Sequence, residues 1–235
     1  MSVERGLRIG LIGYGQMGKP LENCIKDRGH ELVHTVDHFH TDLVTENVDV
    51  YIDFSAPEAL KKYLPLVAEA RIPLVIGTTG WSDELNAFDK LLHEHRSGAI
   101  WSNNFSIGVN IFWRILEKAQ QQVHSFEKEY DVHIHEQHHR YKKDAPSGTA
   151  INTAHIVLDG SSIKKKMRFD SEQRANEEGE LHISSSRGGH HPGTHNVMWD
   201  SVFDTIELKH TARTRDGFAL GAVMAAEFVV GKNLR

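Results

Sequence analysis

The sequence is short of several features that would narrow its class. Among 235 residues there is a single cysteine, Cys24. An intrachain disulfide is excluded, and the thiol is expected to pack as a small apolar group on the first helix. No run approaches the roughly 18 apolar residues of a membrane span. The opening residues MSVERGLRIG lead straight into a strand-like stretch without the apolar core of a secretory signal, so a soluble cytoplasmic protein is expected. Positive charge is not in excess either. Lys and Arg number 27 against 32 Asp and Glu, a formal net charge of −5, so bulk attraction to nucleic acid is not indicated. What is present, 39% hydrophobic and 25% charged residues, suits a globular chain of one large domain or two modest ones.

The first hundred residues alternate between strand and helix patterns. Residues 7–12 form a short apolar run suited to a buried parallel strand. It ends in Gly13-Tyr14-Gly15-Gln16-Met17-Gly18, a G-x-G-x-x-G pattern, and a helix with Leu21, Cys24 and Ile25 at helical spacing follows. A second strand over 31–36 ends at Asp37, 24 residues after Gly13, near the ~20 of a dinucleotide fold. In that setting the glycines let backbone approach a pyrophosphate and the helix N-terminus favours its charge. The acid accepts hydrogen bonds from the adenosine ribose. The alternative is a plain tight turn in an α/β domain. Further strands are expected at 48–54, 72–76 and 99–101. Helices are expected at 57–71 and after Ser82-Asp83-Glu84, the latter with Leu85, Phe88, Leu91 and Leu92 inward. Repeated β-α units mean a parallel sheet with helices on both faces and ligands at the carboxyl ends of the strands. The loops leaving those ends are Ser55-Ala56-Pro57, Gly77-Thr78-Thr79 and Ser102-Asn103-Asn104-Phe105, residue types that ordinary turns also favour.

From residue 107 the pattern changes. Ile111, Phe112, Ile115, Leu116, Ala119 and Val123 make an amphipathic helix. Strands are expected at 130–135, 181–186, 195–200 and 205–211, with one helix from Ser147 among them, so a separate α+β unit with an antiparallel or mixed sheet follows. Residues 160–180 are polar and patternless and read as a long exposed loop. Residues 218–230 are a strongly apolar helix.

The densest chemistry lies in residues 134–150, IHEQHHRYKKDAPSGTA. His138 and His139 are adjacent imidazoles, followed at once by Arg140, Lys142 and Lys143. Pro146 then precedes Ser147-Gly148-Thr149, a helix-start signal whose first-turn N–H groups favour an anion. Cations, a helix N-terminus and two possible proton donors therefore converge, as a pocket for a small carboxylate substrate that must be protonated requires. The same features also suit a solvated basic face in a chain with 17 histidines. His135-Glu136-Gln137-His138-His139 fits H-E-x-x-H, but that zinc chemistry needs a helix. Tyr130, Val132 and Ile134 alternate with polar residues in strand fashion, so no metal is assigned.

This stretch resembles the signature of the dihydrodipicolinate (4-hydroxy-tetrahydrodipicolinate) reductases, E-x-H-H-x-x-K-x-D-A-P-S-G-T-A, at every fixed position. Shorter similarities are DFSAPEA, IGTTGW, NNFSIGVN, ISSSRGG and FALGAV. The resemblance implies an α/β architecture: a Rossmann-type parallel-sheet nucleotide domain (1–105 and 213–235) plus an α+β substrate and oligomerisation domain with a mixed sheet (106–212). It implies an enzyme of lysine and diaminopimelate synthesis, usually a homotetramer built through the second domain's sheet. Its substrate is a small cyclic imine with two carboxylates, reduced by NADH or NADPH after the cleft closes. By the same resemblance His138 donates the proton and Lys142 is the second catalytic cation. His139 with Ser147, Gly148 and Thr149 holds a carboxylate. The loops at Gly77-Thr78-Thr79 and Ser102-Asn103-Asn104-Phe105 reach the nicotinamide. Arg140 and Lys143 match no fixed position.

The chain departs from that pattern at the first turn, where many members read G-x-x-G-x-M-G and this loop is one residue shorter with Gln16. Asp37 is followed by His38 where some members carry Arg. Asp37 repels a 2′-phosphate, so NADH preference or dual use is expected. A non-catalytic sensor binding a dinucleotide and a partner is the reading from another class, and it leaves the His-His-Lys constellation without a purpose.

Overall fold

The computed structural model describes residues 5–170 and 174–231. Backbone contacts divide them into two compact units. One comprises the described residues up to Ile107 together with those from Arg215, the other Gly108–Thr214. The helices are α1 (Gly18–Asp27), α2 (Pro57–Glu69), α3 (Leu85–His95), α4 (Ile107–Val123), α5 (Gly148–Asp159) and α6 (Asp216–Gly231).

In the first unit, five strands are found among the described residues: β1 (Arg8–Ile12), β2 (Glu31–Val36), β3 (Val50–Asp53), β4 (Leu74–Ile76) and β5 (Ala99–Trp101). They pair in the order β2-β1-β3-β4-β5, all parallel. The central strands read as unbroken apolar runs because both faces are covered. Ile9, Leu11 and Ile52 meet Leu21 and Ile25 of α1 and Ala219, Ala222 and Val223 of α6. On the other face Ile12, Tyr51 and Leu74 meet Leu60, Leu64 and Val67 of α2 and Phe88 of α3. Ser82–Glu84 forms a short 3-10 turn, and α3 begins only at Leu85 without a side-chain cap. Of the expected inward set on α3, Phe88 is buried and Leu85 is exposed. The strand order reverses between β1 and β3, and that is where a crevice opens at the carboxyl ends of such a sheet.

The second unit holds β6 (Asp131–His138), β7 (Lys166–Phe169), β8 (Glu180–Arg187), β9 (Thr194–Asp200) and β10 (Thr205–Thr211) among its described residues, in the order β10-β9-β6-β8-β7. Pairings of β9 with β6 and β10 are antiparallel, whereas β8 pairs parallel with β6 and β7, so the sheet is mixed as expected. On β6, Val132, Ile134, Glu136 and His138 are buried and alternate with more accessible residues. Ala150, Ala154 and Val157 of α5 and Phe112 and Leu116 of α4 cover that face.

Two expectations are corrected here. The stretch 160–180 is not all loop, because β7 lies in it. Its inward residue is Arg168, whose Nη1 and Nη2 donate to Asn176 Oδ1 at 2.7 Å and the Arg174 carbonyl at 2.6 Å, so no apolar alternation marks the strand. The buried stripe of α4 is Val109, Phe112, Leu116 and Gln120. Ile111 and Ile115 of the expected stripe are 53% and 49% exposed. Gln120 is inside because its Oε1 accepts the Trp199 indole N–H at 3.1 Å.

Candidate active site

The glycine turn of the first unit is shaped for close approach. Gly13 follows β1 with φ +90° and donates its N–H to the Val36 carbonyl at 2.8 Å. A β-carbon there would lie 2.5 Å from the Phe54 carbonyl oxygen, so the position requires glycine. Nothing lies within 4 Å of where a Gly15 β-carbon would sit. The helix α1 has no side-chain cap; Gly18 N–H meets the Gly15 carbonyl at 3.0 Å and Pro20 has no N–H, so in its first turn the Lys19 N–H is the group that faces an anion. A cleft of about 610 Å³ opens beside the turn, with Gly13, Tyr14, Gly15, Asp37, His38 and Lys62 on its walls. Asp37 Oδ1 accepts the N–H groups of Phe39 and His40, both at 2.8 Å. The His40 and Phe39 backbone bonds hold its pKa below the usual carboxylate range. An ionised acid beside an uncapped helix start fits the adenosine and pyrophosphate part of a dinucleotide. Gln16 and Met17 are not on the cleft wall; Met17 packs toward the core.

The other two expected cofactor loops are largely self-bonded. The Gly77 N–H meets the Asp53 carbonyl at 2.8 Å, and a β-carbon on Gly77 would strike the Phe54 ring. Thr78 is buried, its Oγ1 accepting Ser55 N–H at 2.8 Å and its carbonyl the Trp81 indole at 2.7 Å. Ser102 Oγ donates to the Asn104 carbonyl at 2.9 Å, Asn104 Oδ1 accepts Ser106 N–H at 2.9 Å, and Phe105 packs 6.1 Å from Phe54. Thr79 and Asn103 are exposed at the tips.

In the second unit the sheet register assembles a group that sequence spacing does not reveal. Glu136 lies on the central strand, opposite Ser185 of β8 and His195 of β9; two residues along, His138 is opposite Arg187. The Glu136 carboxylate is fully buried. Its Oε1 accepts Ser147 N–H at 3.0 Å, Ser185 Oγ at 2.9 Å and Arg187 Nη2 at 2.7 Å. Its Oε2 is 3.2 Å from His138 Nδ1 and 3.6 Å from His195 Nε2. Burial pushes this carboxyl up, but His138, His195, Ser147 and Arg187 together outweigh burial and hold it well below the usual range. Burial lowers the pKa of His195, opposed by Glu136.

Of the expected substrate residues, His138 and Ser147 touch that carboxylate, whereas His139 and Lys142 are bonded elsewhere. His138 is buried and its ring stands edge-on to His195, centroids 5.2 Å apart. His139, one residue past β6, donates its N–H to the His191 carbonyl at 2.9 Å. Lys142 Nζ bonds both oxygens of Asp144 at 2.7 and 2.8 Å, and its charge reaches His195. Ser147 is the N-cap of α5, its Oγ accepting Ala150 N–H at 3.2 Å and lying 3.2 Å from His195 Nε2. The Ser147 N–H is committed to Glu136, so Gly148 and Thr149 supply the first-turn N–H groups that no helical carbonyl precedes. Arg140 and Lys143 are exposed. Sequence reading missed Ser185, Arg187, Gly193 and His195, and gave Glu136 no role although it is a fixed position of the signature. The similarity at ISSSRGG was the available signal for Ser185 and Arg187.

Because β6 is a strand, His135 and Glu136 face opposite sides, and the helical zinc arrangement is not formed. Glu136, His138 and His195 do bring one ligand-type atom each within 4.8 Å of the others. The Arg187 guanidinium already neutralises that carboxylate and opposes a second cation. A cavity of about 840 Å³ lies at the opposite end of the sheet, beside Asp131, Lys164 and Trp199, and none of these site residues lines it.

Comparison with known proteins follows the same division. Residues 7–105 match the family described as dihydrodipicolinate reductase, N-terminus, and residues 108–235 match dihydrodipicolinate reductase, C-terminus. A 4-hydroxy-tetrahydrodipicolinate reductase of Christiangramia forsetii is 40% identical over 228 residues, covering 96% of this chain and 93% of that protein. One from Methanococcus aeolicus is 33% identical over 233 residues, 97% of this chain and 80% of that protein. Among solved structures, a dipicolinate-bound dihydrodipicolinate reductase from Paenisporosarcina sp. TG-14 shares the fold, with a TM-score of 0.74 at 24% identity over 96% of this chain and 95% of that one. Matched in both halves and at 40% identity over nearly its whole length, the chain belongs to the dihydrodipicolinate reductase family of oxidoreductases.

Proposed function

We propose that this chain reduces 4-hydroxy-tetrahydrodipicolinate, or its dehydrated form dihydrodipicolinate, to tetrahydrodipicolinate with NADH or NADPH. One observation carries the reading: a buried imidazole, His138, held against an ionised carboxylate that also takes the N–H at the start of α5. Bound at Gly13–Gly15, the dinucleotide supplies a hydride. The chain's own residues do the rest. Lys142 holds substrate by one carboxylate, exchanging it against Asp144, while His139 and the first turn of α5 take the other. Hydride addition to the conjugated C=C–C=N system leaves electron density on a ring carbon, and His138 protonates it.

Residues 1–105 with 213–235 would bind the cofactor, and 106–212 the substrate. A homotetramer formed through the second sheet is in keeping with the exposed Val202 and Phe203 of the β9–β10 hairpin, at 91% and 80%, and the exposed Ile206 of β10. For the cofactor, Asp37 disfavours a 2′-phosphate, whereas Lys62 on the same cleft offers it an ammonium group, so NADH is preferred and NADPH accepted.

The test is a coupled assay in which a synthase generates the substrate and loss of NADH or NADPH absorbance is followed. His138→Gln should lower kcat by about ten- to a hundredfold, roughly 1.4–2.8 kcal/mol, with NADH affinity kept. An unchanged kcat rejects His138 as donor. A kcat/KM far higher with NADPH rejects the reading of Asp37, and no oxidation of either cofactor rejects the reaction.

A further inference from the structure

The reaction above gives Glu136 no part, yet the site is built around it. We propose that Glu136 is the positioning residue of the proton donor. It holds the His138 ring with a proton on Nδ1, so that Nε2 is the nitrogen that delivers a proton to the substrate. It also ties that ring to the substrate-binding end of α5 through Ser147. The proposal rests on the reading of His138 as donor.

The geometry leaves little freedom. Three donors converge on Oε1: the Ser147 N–H, the Ser185 hydroxyl and the Arg187 guanidinium. They fix the carboxylate in rotation, and Oε2 is left turned to His138 Nδ1 at 3.2 Å. Both atoms are buried and neither makes a hydrogen bond among the described residues, so each is the polar group at hand to satisfy the other. An ionised carboxylate only accepts, so pairing the two atoms requires the proton on Nδ1. The second imidazole does not displace it. His195 is farther from Oε2, at 3.6 Å, and its Nε2 has the Ser147 hydroxyl at 3.2 Å. Its ring instead braces His138 edge-on.

The other ring nitrogen is left approachable by a glycine. A β-carbon at Gly193 would lie 2.9 Å from His138 Nε2, so any side chain there would press on the nitrogen that reacts. When the imidazolium donates, the Nε2–H bond breaks as the new C–H bond forms. The electron pair stays on the ring, and the neutral ring that remains has its one proton on Nδ1, facing Glu136. Water returns a proton to Nε2 before the next turnover. A carboxylate held in place beforehand therefore stabilises both the charged ring and the tautomer that donation leaves, as a buried acid does for the histidine of a hydrolase triad.

The experiment combines ring-nitrogen NMR on ¹⁵N-histidine enzyme, with His138 assigned by comparison with His138→Gln, and kinetics of Glu136→Gln and Glu136→Asp. At a pH where the ring is neutral, wild-type His138 should show the Nδ1–H tautomer. Glu136→Gln should lower kcat about a hundredfold with the KM for NADH unchanged, and should lose that tautomer signature. Glu136→Asp, which keeps the charge, should recover part of kcat. A neutral wild-type ring protonated on Nε2 would overturn the proposal, and this reading needs no Glu136 variant to fold. So would a Glu136→Gln enzyme with normal kcat, or a stoichiometric divalent metal in the wild-type enzyme that is lost in Glu136→Gln. If His138→Gln itself keeps its kcat, the donor reading has failed, whatever Glu136→Gln does.

Discussion

Asp53 ends β3 in the first unit, and Glu136 lies near the end of β6 in the second. Both carboxylates are cut off from water, at 0% exposure. Burial pushes each of them up, but their final positions diverge. The Asp53 carboxyl rises to about 6, only partly countered by hydrogen bonds from Ser55 and Thr78. One of its oxygens, Oδ2, has no partner among the described residues. The Glu136 carboxyl ends far below its ordinary value. Register explains the difference. Asp53 is level with Ile12 on one neighbour and Ile76 on the other, whereas Glu136 is level with Ser185 and His195. A parallel sheet covered on both faces offers a buried acid apolar neighbours, while the mixed sheet turns a polar row toward it. Depth sets the penalty on charge, and the donors decide whether charge survives it. A permanently charged Glu136 can hold an imidazole. Asp53 sits beneath the Ser55 and Gly77 loops and serves them as a scaffold.

The hardest blow to that contrast is Arg187→Ala. It would strand a buried carboxylate, and breaking such a pair typically costs about 3–5 kcal/mol. Urea unfolding at pH 7.5 should show a loss of that size. The deficit should shrink toward pH 5, because a Glu136 without its guanidinium takes up a proton more readily and escapes the unpaired charge. A variant as stable as wild type at pH 7.5 would mean that the other donors suffice. Ser185→Ala is gentler. It removes the 2.9 Å hydroxyl bond from Oε1 and leaves two donors there, so a loss of about 1.5 kcal/mol is expected, as for one bond to a charged group. A loss as large as that of Arg187→Ala would show that the three donors act as one unit.

The same contrast marks the limit of what the linear sequence revealed. Strands β2, β5 and β10 lie where their patterns put them, and Ser147 caps α5 as its helix-start signal implied. Those features depend on neighbours a few residues apart. The signature likewise exposed His138, Lys142 and the start of α5, all within one short stretch. Three partners of Glu136 escaped any argument from spacing, because Ser185, Arg187 and His195 reach it only through the order β9-β6-β8. Spacing along the chain carries no trace of that order. β7 was hidden for a related reason: an inward Arg168 with polar partners leaves no hydrophobic period. On α4, Ile111 and Ile115 satisfy the helical period but not the buried face, since period alone does not say which side of a wide apolar stripe is covered.

Asp53→Asn should give the smallest effect and the opposite sign. Between the ordinary 3.8 and about 6, folded Asp53 keeps a proton that the unfolded chain has released. This group's contribution to stability therefore falls as pH rises through that window. Glu136 runs the other way: its contribution is full above its unfolded value of 4.5 and is lost as pH falls below it. The Asp53 shift of about two units corresponds to roughly 3 kcal/mol withheld at neutral pH. Asparagine carries no charge and removes that penalty, but it weakens the bonds from Ser55 and Thr78 by about 1 kcal/mol each. A net gain of about 1 kcal/mol is thus expected at pH 8, turning into a loss of about 1 kcal/mol at pH 4.5, where folded wild-type Asp53 is largely protonated and only about a third of the penalty remains. Urea midpoints at the two pH values measure the reversal. An equal loss at both would place Asp53 with Glu136, as an acid whose charge the fold uses.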